Sequence, residues 1–162
     1  MIAALQIFGT LVIIILLILF VFKPRRKDNF NIPLNYPELL SDYVLFYGGL
    51  TEADKKKFDL RFEKFLSSVH INGANAEVED LDRVLIGAAA IIPVYYIPDW
   101  EYVNLREVLL YPGNFNFDFE QHGVERNVSG MVGTGHMQNV MILNKWELRQ
   151  GFINNKNQSH KT

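Results

Sequence analysis

The side chains best able to hold a metal are four histidines, His70, His122, His136 and His160, which stand 52, 14 and 24 residues apart. No two have the i, i+4 spacing with which one helix presents a pair of zinc ligands, and the HExxH pattern is absent. The chain has no cysteine, which excludes disulfides, thiolate metal sites and cysteine nucleophiles and leaves imidazole and carboxylate as the strong ligands. Asp118, Glu120 and His122 form the densest local set, alternating on one face of an expected strand whose other face carries Phe115, Phe117 and Phe119. One strand cannot close a coordination sphere, so this set reads first as the solvated face of an antiparallel strand. "GMVGTG" at residues 130–135 lacks the helix with Lys and Ser or Thr that a phosphate loop needs, and reads as a turn. Ser129, Thr134 and Ser159 have no histidine and acid at a triad spacing. The residue types alone therefore assign no catalytic, cofactor-binding or metal-ligating residue.

Any such chemistry would have to be positioned by one domain, since 162 residues at 49% hydrophobic and 21% charged content suit a single core. Ile2 to Phe22 is an uncharged run of 21 residues, long enough at ~1.5 Å rise per residue to cross a ~30 Å hydrocarbon layer. Lys23, Arg25, Arg26 and Lys27 follow the run and none precedes it, the reverse of a cleaved signal peptide. The positive-inside bias then predicts a single-pass anchor in the inner (cell) membrane with the rest of the chain in the cytoplasm. Beyond residue 27 the chain holds 12 basic and 18 acidic residues, the wrong balance for a nucleic-acid partner. The sequons at Asn127 and Asn157 have no use on that side of a membrane.

Residues 1–22 are thus expected to span the membrane, 23–36 to form a basic juxtamembrane linker, 37–152 to form the folded domain, and 153–162 to be a polar tail. Within the domain the sequence predicts a helix near Glu38 to Tyr47, stopped by Gly48 and Gly49. A second helix is capped by Thr51 and carries a core stripe of Phe58, Phe62, Phe65, Leu66 and Val69. His70 is expected to end that helix, serving its dipole, before a turn-rich link with positive φ at Asn72 and Gly73. Acidic residues Glu77 to Asp82 then lead into a helix from Leu81 to about Ile92, apolar on all sides, where Ala88 to Ala90 permit close approach. Strands are predicted at Val108 to Tyr111, Phe115 to Phe119 and Val140 to Leu143, and "NKWE" opens a short helix from Lys145 to about Gln150. The class is α+β, an N-terminal transmembrane helix followed by helices and a small, mainly antiparallel sheet.

The order of five segments carries a resemblance. "YGGLTEADKKKF", "RFEKFL", "EVEDLDRVLIGAAAIIP", "VLLYPGNF" and "NVMILNKWELRQGF" resemble the front part of the Mlc titration factor A (MtfA) family of zinc-dependent peptidases, from about Pro37 to Asn155. Arg83 to Ala90, Val108 to Phe115 and Val140 to Trp146 stand where that family has its buried helix, its "YPG" strand and turn, and its last strand before the metal helix. The resemblance implies an incomplete zincin-like domain. The family's HExxH helix is expected within a few residues of Gly151 and Phe152, where these residues run out, and no Glu follows His160. It therefore implies no catalytic residue here, and zinc only if the natural protein continues into HExxH. In similar peptidases the strand ahead of the metal helix pairs with the peptide, which nominates Met137 to Leu143, and within it Gln138, Asn139, Val140, Met141 and Ile142. The expected partners are the membrane and either a peptide substrate or a cytoplasmic regulatory protein. The expected function is the cytosol-facing, anchored N-terminal part of such a peptidase, not catalytic as it stands. A short tethered module that sequesters a cytoplasmic regulator is the alternative. An incomplete domain should also leave apolar surface uncovered on the Leu81 helix or the Val140 strand.

Overall fold

A computed structural model of the chain describes residues 32–114, 130–133 and 138–159. The expected span Ile2 to Phe22, most of the basic linker, the Phe115 to Phe119 strand and the tail's last residues lie outside them. Among the described residues no helix is long and apolar enough to cross a membrane.

The first expected helix is two. α1 (Tyr36–Tyr43) begins with a proline in its first turn, and α2 (Leu45–Gly48) follows after Val44, whose extended backbone breaks the helical path. The break lets Val44 and Tyr47 both enter the core, where Val44 is 1% and Tyr47 4% exposed. α3 (Glu52–Ser68) starts as its sequence requires: the Asp54 N–H donates to the Thr51 hydroxyl at 3.2 Å. Its stripe of Phe58, Phe62, Phe65 and Leu66 is buried, with the Phe58 and Phe62 rings stacked at 6.1 Å.

Val69 then turns extended, and His70 belongs to strand β1 (His70–Gly73) instead of a helix end. Its N–H donates to the Arg106 carbonyl at 2.8 Å, so the expected dipole role does not apply. Positive φ falls at Asn75 (59°), not at Asn72 or Gly73. Gly73 is required for another reason: a Cβ there would lie 1.8 Å from the Ala76 carbonyl oxygen.

α4 (Asp80–Ile91) opens with a reciprocal capping box between Glu79 and Asp82. Val84, Leu85, Ile86, Gly87, Ala88 and Ile91 are buried against α1, α3 and the last helix, α5 (Lys145–Ser159). The apolar surface expected to lie bare on this helix is covered. Close approach comes at Gly87, where an added Cβ would stand 2.4 Å from Phe62 Cε2.

β1 joins β2 (Glu107–Tyr111), β4 (Val140–Asn144) and β3 (Gly130–Val132) in the order β1-β2-β4-β3. The pairs β1/β2 and β2/β4 are parallel and only β3/β4 is antiparallel. The sheet is therefore mixed, not mainly antiparallel. Once His70–Gly73 is a strand, α4 becomes the crossover between β1 and β2, and a helical crossover delivers parallel strands. Val108 and Leu110 face the helices, and Met141 and Leu143 pack beside them. The opposite face gathers Tyr111, Ile142, Leu109 and Val140 around fully buried Ile142.

Candidate functional site

The end of β4 and the start of α5 are where chemistry-bearing side chains converge. Asn144, 3% exposed, caps α5: its Oδ1 accepts from the N–H groups of Trp146 (2.8 Å) and Glu147 (3.2 Å). Its Nδ2 donates to Asn114 Oδ1, tying the turn after β2 to the helix start. Pro112, Gly113, Asn114, Asn144, Trp146 and Glu147 enclose an open cavity of about 360 Å³. It lies beyond the carboxyl ends of the parallel strands β2 and β4, where open sheets with helical crossovers leave room for ligands.

One turn further along, α5 is fixed to α4 by four charged groups. Asp82 is fully buried; it accepts from Arg149 Nε at 2.7 Å and from the Glu79 N–H at 2.9 Å, and Lys145 Nζ lies 3.2 Å away. Lys145 also reaches Glu79 Oε1 (2.7 Å) and the Glu77 carbonyl (2.9 Å), while Arg149 Nη2 is 2.9 Å from Glu79 Oε1. Hydrogen bonds from Lys145 and Arg149 hold the Glu79 carboxyl below the usual range. Burial works against the Lys145 ammonium, yet Glu79 and Asp82 outweigh it and keep its pKa above the ordinary value. The Asp82 hydrogen bond likewise raises Arg149. The network neutralises both carboxylates, so it holds a helix, not a cation. In the sequence Asp82 stands only as part of an acidic run; the signal for its role is the pairing of that run with Lys145 and Arg149, four apart on one face of α5.

The nominated substrate strand is placed differently from the expectation. Gln138 and Asn139 precede β4, and the Asn139 carbonyl accepts from the Arg106 (2.8 Å) and Glu107 (3.2 Å) N–H groups. Val140, Met141 and Ile142 lie in β4 with β2 on one side and β3 on the other, so both backbone edges are taken. Among the described residues the outer edge belongs to β3, in the segment Gly130–Val132 that the sequence suggested was only a turn. Met137 lies outside the described residues.

No group of three or more His, Asp or Glu side chains able to hold a metal occurs among the described residues. His70 is exposed on β1. Asp118, Glu120, His122, His136 and His160 lie outside the described residues, as do Ser129 and Thr134.

The sequence model of one protein family, described as glucose-regulated metallo-peptidase M90, matches residues 22–161. No curated protein matches the chain.

Proposed function

Since the chain belongs to the glucose-regulated metallo-peptidase M90 family, we propose that it is the substrate-presenting front part of a zinc-dependent peptidase. In this reading Ile2 to Phe22 anchors it in the cell membrane and the folded part faces the cytoplasm. The observation that carries the proposal is the family match, which runs through every described element from α1 to α5. The four-stranded sheet supports it, with β3 an edge strand among the described residues that could take an extended peptide, and α5 tied to α4 by Asp82, Lys145 and Arg149. HExxH, the pattern that supplies paired imidazoles and a general base for metal-assisted hydrolysis, does not occur among these 162 residues, and in this reading their part is to bind the peptide.

The test uses the full chain in lipid nanodiscs with an extended, unstructured peptide. Hydrogen exchange should slow at 130–133 on peptide addition, and the peptide should remain intact with zinc present. Peptide cleavage, or protection confined to other elements, refutes the proposal. A second reading, a tethered module that holds a cytoplasmic regulatory protein, is favoured by the exposed side chains of Tyr96 (80%) and Val103 (78%) on one loop. Protection confined to residues 95–103 by a folded cytosolic partner would favour it.

A further inference from the structure

At the opposite end of the parallel strands from the Asn144 cavity, the loop from Tyr95 to Arg106 arches over the second half of α3 and encloses about 460 Å³. That volume suits a small organic molecule. One wall is aromatic: Tyr102 stands edge-on to Phe65 (5.6 Å, 68°) and to Trp100 (6.4 Å, 84°). Tyr102 is held by its hydroxyl, which donates to the Ala90 carbonyl at 2.9 Å. Trp100 is 48% exposed, a large apolar surface kept open at the rim.

The charged lining is unequal. Arg61, Lys64 and Arg106 face Asp99 and Glu101, an excess of one positive charge. Arg61 is occupied by the carbonyls of Tyr95 (2.8 Å) and Trp100 (3.3 Å), and Lys64 is paired with Glu101. The Arg106 guanidinium has no ion pair or side-chain hydrogen bond among the described residues. Its backbone, by contrast, is fixed on both sides, accepting from the His70 N–H at 2.8 Å and donating to the Asn139 carbonyl at 2.8 Å. Arg106 is exposed, with its backbone fixed, and lines the same cavity as the aromatic wall, where its guanidinium can offer a planar fork to a planar anion.

We propose that this cavity binds a small amphipathic monocarboxylate, its apolar or aromatic body against Phe65, Trp100 and Tyr102 and its carboxylate on Arg106. A single negative charge matches the excess of the lining; a neutral ligand gains no ion pair with the guanidinium, and a doubly charged phosphate overshoots the excess. The occupied site would tighten the backbone joint at Arg106 that connects β1 to the start of β4.

The test is titration of the full chain in nanodiscs with phenylbutyrate and its neutral amide, phenylbutyramide, with empty nanodiscs as the blank. In a Trp146→Phe background, Trp100 is the sole tryptophan of the two in the sequence and reports occupancy by fluorescence. The expected result is saturable quenching by the acid, with the amide about ten-fold weaker, the difference one charge-assisted hydrogen bond makes. Arg106→Gln should bring the acid down to the amide's affinity and leave the amide unchanged. Wild-type hydrogen exchange should slow at 65–70 and 100–107 with the acid bound. Should Arg106→Gln fail to fold, the acid and amide comparison and the exchange map decide on the wild-type loop alone. Equal affinity for acid and amide, quenching that never saturates, or protection elsewhere overturns the proposal.

Discussion

Replacing Asp82 by Asn probes the joint between α4 and α5 with the least change of shape. The carboxylate is fully buried and meets Arg149 at 2.7 Å and Lys145 at 3.2 Å, whose own side chains are 25% and 17% exposed. Removing one partner of a buried ion pair costs about 3 to 5 kcal/mol, because the remaining charge stays desolvated. Here Glu79, 51% exposed, still offers a carboxylate at 2.7 Å to Lys145 and 2.9 Å to Arg149, so the loss should fall at the lower end, about 3 kcal/mol. For a domain of this size that lowers Tm by roughly 10 °C. Urea unfolding of the full chain, followed by far-ultraviolet circular dichroism, measures the cost. A double-mutant cycle with Arg149→Met isolates the pair, and a coupling of about 2 kcal/mol is expected. Hydrogen exchange should show α5 losing protection before α3. A cost below about 1 kcal/mol, or a coupling under about 0.5 kcal/mol, would mean that apolar contacts alone hold α5 and that the network does not position it.

Asp59 carries the opposite kind of strain. Among the described residues its buried Oδ1 has no hydrogen-bond partner and its Oδ2 has only a 3.4 Å contact from the Tyr47 hydroxyl, and burial raises its pKa. The folded state therefore holds the proton more tightly than the unfolded chain, so stability falls as pH rises from the ordinary carboxylate range through the raised folded value. Asp59→Asn should be nearly neutral at roughly pH 3 and stabilising by about 1 kcal/mol at pH 7, and urea curves at the two pH values check this. The same contact, with burial as the larger cause, pushes the Tyr47 phenol up to about 12, and ultraviolet titration of Asp59→Asn should find it lower. Gly87→Ala gains helix propensity but drives a Cβ to 2.4 Å from a fully buried phenyl ring, so a net loss of about 2 kcal/mol is expected in thermal melts. An unchanged Tm would mean that Phe62 can yield.

Much of this architecture is legible in the sequence because it depends on local signals. Thr51 and Asp54 mark the start of α3, the phenylalanine stripe marks its buried face, and Asn144 with Glu147 marks the start of α5. What escapes is decided by distant partners. "HING" has too few apolar residues to read as a strand, and it becomes one because Glu107–Leu110 stands beside it in parallel register. Without that strand the α4 crossover is not evident, and neither is the mixed character of the sheet. "GMV" looks like a glycine turn until Met141–Leu143 pairs with it, which makes β3 and not β4 the edge strand on that side of the sheet among the described residues. The cavity over α3 was invisible because Arg61 on the helix and Arg106 beyond the loop are brought together only by the fold.

The zinc content of the 162-residue chain is the most direct check on the proposal that these residues form a peptidase scaffold with no metal centre of their own. Purified with zinc supplied and desalted, the chain should retain well under one zinc per molecule by mass spectrometry of the metal, and calorimetry should show only weak uptake. A tight one-to-one complex would contradict the proposal, and would mean that histidines and carboxylates scattered along the sequence assemble a site of their own.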